Sequence, residues 1–166
     1  GDYDFYYNSG INFFGYDSKT KESKLLFNWI NCDVNNDTLN GFGVLSDGTV
    51  VGVTNTWDKN YENCTSEIVK ISSVPASSLP RKQTLTLATQ YLDYNLRDVI
   101  ISFNRSSDRC RIEVTDYSAF NTDEDYSAGL TKLNTEILAG NVPDIIDLKG
   151  LPYDRYAAKG ILEDLY

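Results

Sequence analysis

The sequence predicts a protein of mixed α and β structure. An N-terminal antiparallel β-meander that resembles a propeller blade precedes a partial α/β lobe with a short parallel sheet. Three observations predict this. Residues 1–74 contain short aromatic and β-branched runs between polar turns. Residues 75–82, PASSLPRK, form a Pro/Ser linker. Residues 83–166 alternate strand-like and helix-like segments, an order typical of parallel sheets covered by helices.

The first segment is predicted to consist of short antiparallel strands without helices between them. The candidate strands are FYYN, INFFGYD, KLLFNW, GFGVLS, TVVGVTNTW and SEIVKISSV. Asp47-Gly48 predicts a two-residue hairpin, because both positions tolerate a positive φ. This pattern of short strands and turns fits one propeller blade or a small meander. Since a single blade cannot bury both of its faces, we expect further blades before Gly1.

The second segment is predicted to begin with a strand, a helix and another strand. TLTLAT is the first strand, and Asp93 is a plausible N-cap for the helix that follows. The apolar positions expected to face the core of this helix are Leu96, Val99, Ile100 and Phe103. RIEVTDY then predicts the second strand of the same sheet.

The end of the chain predicts two more helices around a brief strand. Apolar residues recur at helical spacing at Tyr126, Leu130, Leu133, Ile137 and Leu138, with Gly140 as the C′ residue and Pro143 just beyond. The run Ile145, Ile146 and Leu148 is typical of a strand buried on both faces. Pro152 suits the first turn of a last helix, and Gly160 would end it.

Composition and charge disfavour several classes of partner and chemistry. The chain has 24 acidic and 15 basic residues, a net charge of -9, and no basic face that would bind nucleic acid. It contains no histidine, which removes Ser-His-Asp and Cys-His catalysis and His-ligated metals. The calcium-like spacing Asp33-x-Asn35-x-Asp37 lacks the glycine and glutamate of an EF-hand loop. We therefore expect no enzyme and no cofactor.

The three cysteines leave the redox compartment open. Cys32 and Cys64 both lie in the β-rich segment and could pair in a secreted protein, or both could remain free thiols. Cys110 begins an apolar strand and is expected to be a packed thiol.

Two segments near the C-terminus resemble a known family. GNVPDI at 140–145 and AAKGILEDLY at 157–166 resemble the first lobe of extracellular solute-binding proteins, in particular the carbohydrate group that serves ABC importers. The stretches 84–104 and 111–118 are similar to the first βα unit and the second strand of that lobe. The resemblance covers residues 83–166. It implies an extracellular, membrane-anchored lipoprotein without enzymatic activity, which traps a sugar or oligosaccharide between two hinged lobes and delivers it to an ABC permease.

A solute site is expected where the parallel strands end, because ligands of open α/β sheets bind outside the carboxyl ends of the strands. The candidate ligand-binding residues at these ends are Gln90, Tyr91, Asp93, Tyr117, Ser118, Asp147 and Lys149. The two tyrosines could stack on a sugar, while the other side chains could bond its hydroxyls. Each also has a structural alternative: Asp93 as a helix cap, Tyr117 as a cover of the sheet end, and Asp147 with Lys149 as a solvated loop pair.

A second function remains open at this point. The aromatic residues of the first segment could form a glycan-binding face or pack blades together, and the chain could be a surface interaction module with no transport role. Exposed aromatic side chains or unpaired strand edges could also allow self-association. A polysaccharide-active enzyme is disfavoured, because no close pair of carboxylates can be placed.

Overall fold

The computed structural model describes residues 1–164, so Leu165 and Tyr166, the end of the family-like segment, lie outside the described residues. The strands are β1 (Phe5–Ser9), β2 (Asn12–Asp17), β3 (Glu22–Asn28), β4 (Leu39–Val44), β5 (Val50–Trp57), β6 (Cys64–Ile71), β7 (Gln83–Thr89), β8 (Cys110–Asp116) and β9 (Ile145–Ile146). The α-helices are α1 (Tyr94–Ser106), α2 (Ala128–Leu138) and α3 (Tyr153–Ala158). The predicted mixture of antiparallel sheets with a short parallel sheet is confirmed.

The N-terminal strands form two antiparallel sheets instead of one meander. The sheets have the orders β1-β2-β3 and β4-β5-β6. Between them the chain turns through two short 3₁₀ segments, Ile30–Cys32 and Asn36–Thr38. The sheets pack against each other around an aromatic core in which the Phe13 ring meets the rings of Trp29 and Phe42 edge to face. The buried rings therefore hold two small sheets together.

The hairpin at Asp47-Gly48 has a three-residue loop, so the two-residue prediction is wrong. Leu45 N–H donates to the Thr49 carbonyl at 2.8 Å, and Gly48 N–H donates to the Leu45 carbonyl at 3.0 Å. Only Gly48 has a positive φ, +81°. This is a type I turn followed by a glycine bulge, an arrangement in which only the last loop residue must be left-handed.

The three strands of the second half form a parallel sheet, as the alternating pattern predicts, and their order is β8-β7-β9. Asp93 caps α1, since its carboxylate accepts the Asn95 N–H at 3.0 Å. The buried face of α1 is partly the predicted one, since Ile100 is buried and Leu96 packs against the core. Val99 and Phe103 are exposed, whereas Arg97, Ile100, Ile101 and Asn104 are buried. The face is rotated because Arg97 and Asn104 have polar partners inside the protein.

The C-terminal elements are confirmed, with differences at their ends. Leu133 and Ile137 are buried on α2, but Leu138 is exposed, and Tyr126 lies in the preceding turn and is exposed. The strand β9 contains two residues, both half-buried, so the expected burial on both faces is wrong. Leu148 lies beyond it. The residues expected to end the two helices, Gly140 and Gly160, both have positive φ.

The two halves of the chain share one hydrophobic core. Ile11 and Ile30 from the β-rich half pack with residues of β7, α1 and β8, including Leu87, Ile100 and Val114. An ion pair between Arg97 and Asp37 and a hydrogen bond from Asn35 to Asp98 also connect the halves. Residues 75–82 are therefore not the only connection between them. The three cysteines are free thiols.

Candidate functional site

The site lies at the edge of the parallel sheet where the three strands end. The strand β7 ends at Thr89, β8 ends at Asp116, and Asp147 follows β9. The strand β7 is central, and the two strands that follow it in the sequence, β8 and β9, pair with its opposite edges. Loops diverge at such a switch point, and open α/β sheets place their ligands in the crevice that forms there.

The loops after β7 and β9 are joined by hydrogen bonds. The buried Thr89 hydroxyl donates to Asp147 Oδ2 at 3.0 Å and accepts the Tyr91 N–H at 3.2 Å. The Asp147 backbone N–H continues the sheet by donating to the Ala88 carbonyl at 2.9 Å. Lys149 N–H donates to Asp147 Oδ1 at 3.1 Å. The Asp147 carboxylate is thus held in a fixed orientation by donors from both loops.

An exposed ion pair also links the loop after β9 to the beginning of α1. Lys149 Nζ lies 3.2 Å from Asp93 Oδ2, while Asp93 also caps α1. The Asn95 N–H, and then Lys149, hold the pKa of Asp93 below its usual range. Asp93 therefore combines a structural role with a position on the rim of the site.

Gln90 and Tyr91 present unused groups at the same junction. The Gln90 Nε2 atom is shielded from solvent and has no hydrogen-bond partner within residues 1–164. The Tyr91 side chain is 63% exposed. The Tyr91 ring is therefore the group of this pair that a ligand with a flat face can reach, whereas the Gln90 amide nitrogen lies inside the protein.

The residues after β8 form a separate polar group. Asp116 Oδ1 accepts the backbone N–H and hydroxyl of Ser118, at 2.9 and 2.6 Å, and Asp116 Oδ2 accepts the Leu92 N–H at 3.4 Å. Asp116 is buried, and sequence reasoning missed it. Its position near the end of the predicted strand RIEVTDY, two residues before a serine, is the available signal for such a cap.

Tyr117 covers the end of the sheet. It is buried, and its hydroxyl donates to Glu136 of α2. Burial, together with the Glu136 carboxylate, raises the pKa of Tyr117. The ring lines a cavity of about 230 Å³ with Ala88 and Pro143. The structure thus brings the loops after β7 and β9 together, with Tyr117 and Ser118 on the far side of β7.

The arrangement offers oriented hydrogen-bonding groups rather than reactive ones. Within residues 1–164, no cluster of three or more Cys, Asp or Glu side chains is arranged to hold a metal ion. Every helix in this part of the chain is too short or too polar to cross a bilayer. No family model, curated protein or solved structure matches the chain. The functional argument therefore rests on the geometry of the sheet edge and on the sequence.

Proposed function

We propose that the chain binds a carbohydrate at the junction of the loops after β7 and β9, as part of a solute-binding protein that feeds an ABC importer. The observation that carries this proposal is the strand order β8-β7-β9, which creates a switch point where Thr89 and Asp147 are hydrogen-bonded. Such crevices bind ligands without requiring chemistry from the protein.

The groups at the junction match the surface of a sugar. A sugar needs a flat apolar surface to stack on and fixed polar groups for its hydroxyls. Tyr91 supplies an exposed ring, and Asp147 and Lys149 supply charged groups beside it. The Asp147 carboxylate is already oriented by Thr89 and Lys149, so little entropy is lost when it accepts a further bond.

The wider biological setting belongs to the same proposal. The resemblance of residues 83–166 to carbohydrate receptors supports an extracellular, membrane-anchored protein that delivers its solute to a permease. A hinged partner lobe would close over the sugar, and the ligand would stabilise the closed state. The two small antiparallel sheets of residues 1–74, which share an aromatic core, are compatible with a propeller-like segment beside the lobe.

The proposal is tested by titrating the chain with a panel of neutral mono- and oligosaccharides, using isothermal calorimetry. We expect saturable binding of at least one sugar. Asp147→Asn and Tyr91→Ala should each weaken it about tenfold, because a bidentate acceptor or a stacking face is worth on the order of 1–2 kcal/mol.

Tyr126→Ala is the matched control, since Tyr126 is an exposed tyrosine in the turn before α2. It should bind the sugar as the unchanged chain does. Absence of binding by every sugar would overturn the proposal, as would equal effects of Tyr91→Ala and Tyr126→Ala.

A second candidate function is a protein-interaction module, and the outer face of the β4-β5-β6 sheet favours it. Val53 and Ile68 are paired across β5 and β6, and both are exposed, Ile68 by 80%. Exposed apolar pairs on a sheet are typical of contact surfaces. If two copies associate through this face, sedimentation equilibrium should detect a dimer that Ile68→Lys abolishes. A monomer at all concentrations would remove this candidate.

A further inference from the structure

A second cavity, away from the sheet edge, lies between the turn that joins β5 to β6 and the beginning of α1. Its volume is about 490 Å³, within the range of small-molecule sites. Residues 37–40 form its third wall. The cavity therefore lies where the two halves of the chain meet, and its lining comes from both.

Three aromatic rings line this cavity and remain largely exposed. Trp57 is 54% exposed, Tyr61 79% and Tyr94 53%. Within residues 1–164, none of the three rings packs against another aromatic ring, although the aromatic residues of β1–β3 are extensively stacked on each other. The faces of these rings are thus available to a ligand.

Tyr61 is held at the mouth of the cavity by its turn. Its backbone is left-handed, with φ +58°, which is uncommon for a bulky residue. The Asp58 carboxylate stabilises the turn by accepting the N–H groups of Asn60 and Glu62 and the side-chain amide of Asn63, at 2.7–3.1 Å. These hydrogen bonds therefore fix the backbone from which the Tyr61 ring projects.

Acidic side chains outnumber basic ones in the lining, although the buried Arg97 offsets the charge of Asp37. Asp37, Asp58 and Asp98 all contribute to it, and Lys59 is its cationic member. Within the described residues, Asp37 uses Oδ2 to pair with the buried Arg97 at 2.6 Å, and Asp98 uses Oδ1 to accept from Asn35 at 2.8 Å. These contacts engage one oxygen of Asp37 and one of Asp98, whereas both oxygens of Asp58 accept hydrogen bonds within its own turn. They also fix Asp37 and Asp98 in place.

We propose that this cavity binds a small organic cation, an amine or quaternary ammonium group, between the Trp57, Tyr61 and Tyr94 rings and beside the carboxylates. Aromatic faces attract cations through their quadrupole, and the attraction is strongest over tryptophan. A carboxylate within a few ångströms adds direct charge attraction. A neutral sugar would use the rings but gain nothing from the net charge of the lining.

Choline is the probe, and 3,3-dimethylbutan-1-ol is its uncharged counterpart of nearly the same shape. Binding is followed by the fluorescence of Trp57, because Trp29 is fully buried in the aromatic core. We expect saturable binding of choline, and binding of the alcohol that is at least about fivefold weaker. Equal affinities for the two compounds, or no response to either, would overturn the proposal.

Variants then locate the binding. Tyr61→Ala should weaken choline binding about fivefold, and Asp98→Asn should weaken it while leaving the affinity for the alcohol unchanged. Tyr126→Ala is the matched control and should bind choline as the unchanged chain does. Circular dichroism confirms that each variant is folded. Identical choline affinities for Tyr61→Ala and Tyr126→Ala would contradict the cation site, whatever the sugar titrations show at the β7–β9 junction.

Discussion

Two asparagine side chains protect the free edge of the parallel sheet. Asn104 of α1 bonds both backbone groups of Ile112, at 2.6 and 2.9 Å, and Asn31 bonds both backbone groups of Val114, at 2.8 and 3.2 Å. An amide side chain carries a donor and an acceptor, so each asparagine imitates one residue of a neighbouring strand. Unpaired sheet edges are otherwise prone to aggregation.

The first prediction concerns Asn31. Asn31→Ala leaves the N–H of the buried Val114 without this partner and its carbonyl with only the 3.4 Å bond from Asn28 Nδ2, so we expect a loss of about 1–3 kcal/mol in the free energy of unfolding. Urea denaturation measures it. The exposed Asn141 is the control, and Asn141→Ala should change stability by less than about 0.5 kcal/mol. Equal losses of stability in Asn31→Ala and Asn141→Ala would show that the hydrogen bonds from Asn31 to the Val114 backbone do not stabilise the protein.

Gly129 is required by a close approach between α2 and the turn after β8. A Cβ atom at this position would lie 1.9 Å from the Tyr117 carbonyl oxygen, closer than any real contact. We expect Gly129→Ala to destabilise the protein by about 1–3 kcal/mol, as overpacking does. The midpoint of thermal unfolding measures the effect.

The matched substitution is Gly41→Ala, where a Cβ atom would meet nothing within 4 Å. This variant should be neutral or slightly more stable, because alanine restricts the unfolded chain. If Gly129→Ala leaves the thermal midpoint unchanged, α2 must be able to move away from the Tyr117 carbonyl at no cost in stability.

Among the elements, those with clear local signals were predicted and those set by tertiary contacts were not. Local patterns indicate Asp93 as a plausible cap of α1 and the run from Ile145 to Leu148 as a strand, and the structure has the cap at Asp93 and a strand at Ile145–Ile146. The α1 face that periodicity predicts includes the buried Ile100 but not Arg97, because the partner of Arg97, Asp37, lies 60 residues away in sequence. Hydrophobic periodicity assigns a charged residue such as arginine to the solvent-exposed face of a helix.

The candidate site shows the same division. Strand ends located the loops after β7 and β9, since parallel strands all end at one edge. The hydrogen bond between Thr89 and Asp147 joins residues 58 apart and has no sequence signal. Asp116 was missed because its role depends on the Leu92 N–H of another loop.

The α1 cap predicts a pH dependence. The pKa of Asp93 is lower in the folded protein than in the unfolded chain, because the Asn95 N–H and Lys149 favour its ionised form. Its charge therefore stabilises the fold fully above about pH 4. This contribution is lost as the pH falls through the lower folded pKa. The stability difference between the unchanged chain and Asp93→Asn should be constant from pH 7 to 5 and shrink below pH 4.

Urea denaturation of both proteins at several pH values measures this difference. Lys149→Ala serves as the control, because it removes one of the two groups that lower the pKa and should reduce the pH dependence. A difference that persists unchanged at pH 3 would contradict the cap's electrostatic role.

At the scale of the whole molecule, the shared core makes the two halves depend on each other. Ile11 and Ile30 are fully buried against the α/β half, and Arg111 donates to the Asn31 carbonyl. We therefore expect one cooperative unfolding transition. In a Trp57→Phe background, fluorescence of the buried Trp29 reports on the first half, and circular dichroism at about 222 nm reports on the helices of the second.

The two signals should change together as urea rises, since coincident transitions indicate two-state unfolding. Separate midpoints would show that the halves are independent and that residues 75–82 act as a flexible linker. The second result would also weaken the cation site, because its lining comes from both halves.

The central claim is that a sugar binds at the junction of the loops after β7 and β9, and the most direct measurement is an amide NMR titration of the isotopically labelled chain with the saccharide panel. The account predicts saturable shifts concentrated at residues 89–93 and 147–150, with smaller shifts at 116–118 and none in β1–β3. No shifts for any sugar, or shifts confined to the β-rich half, would contradict it.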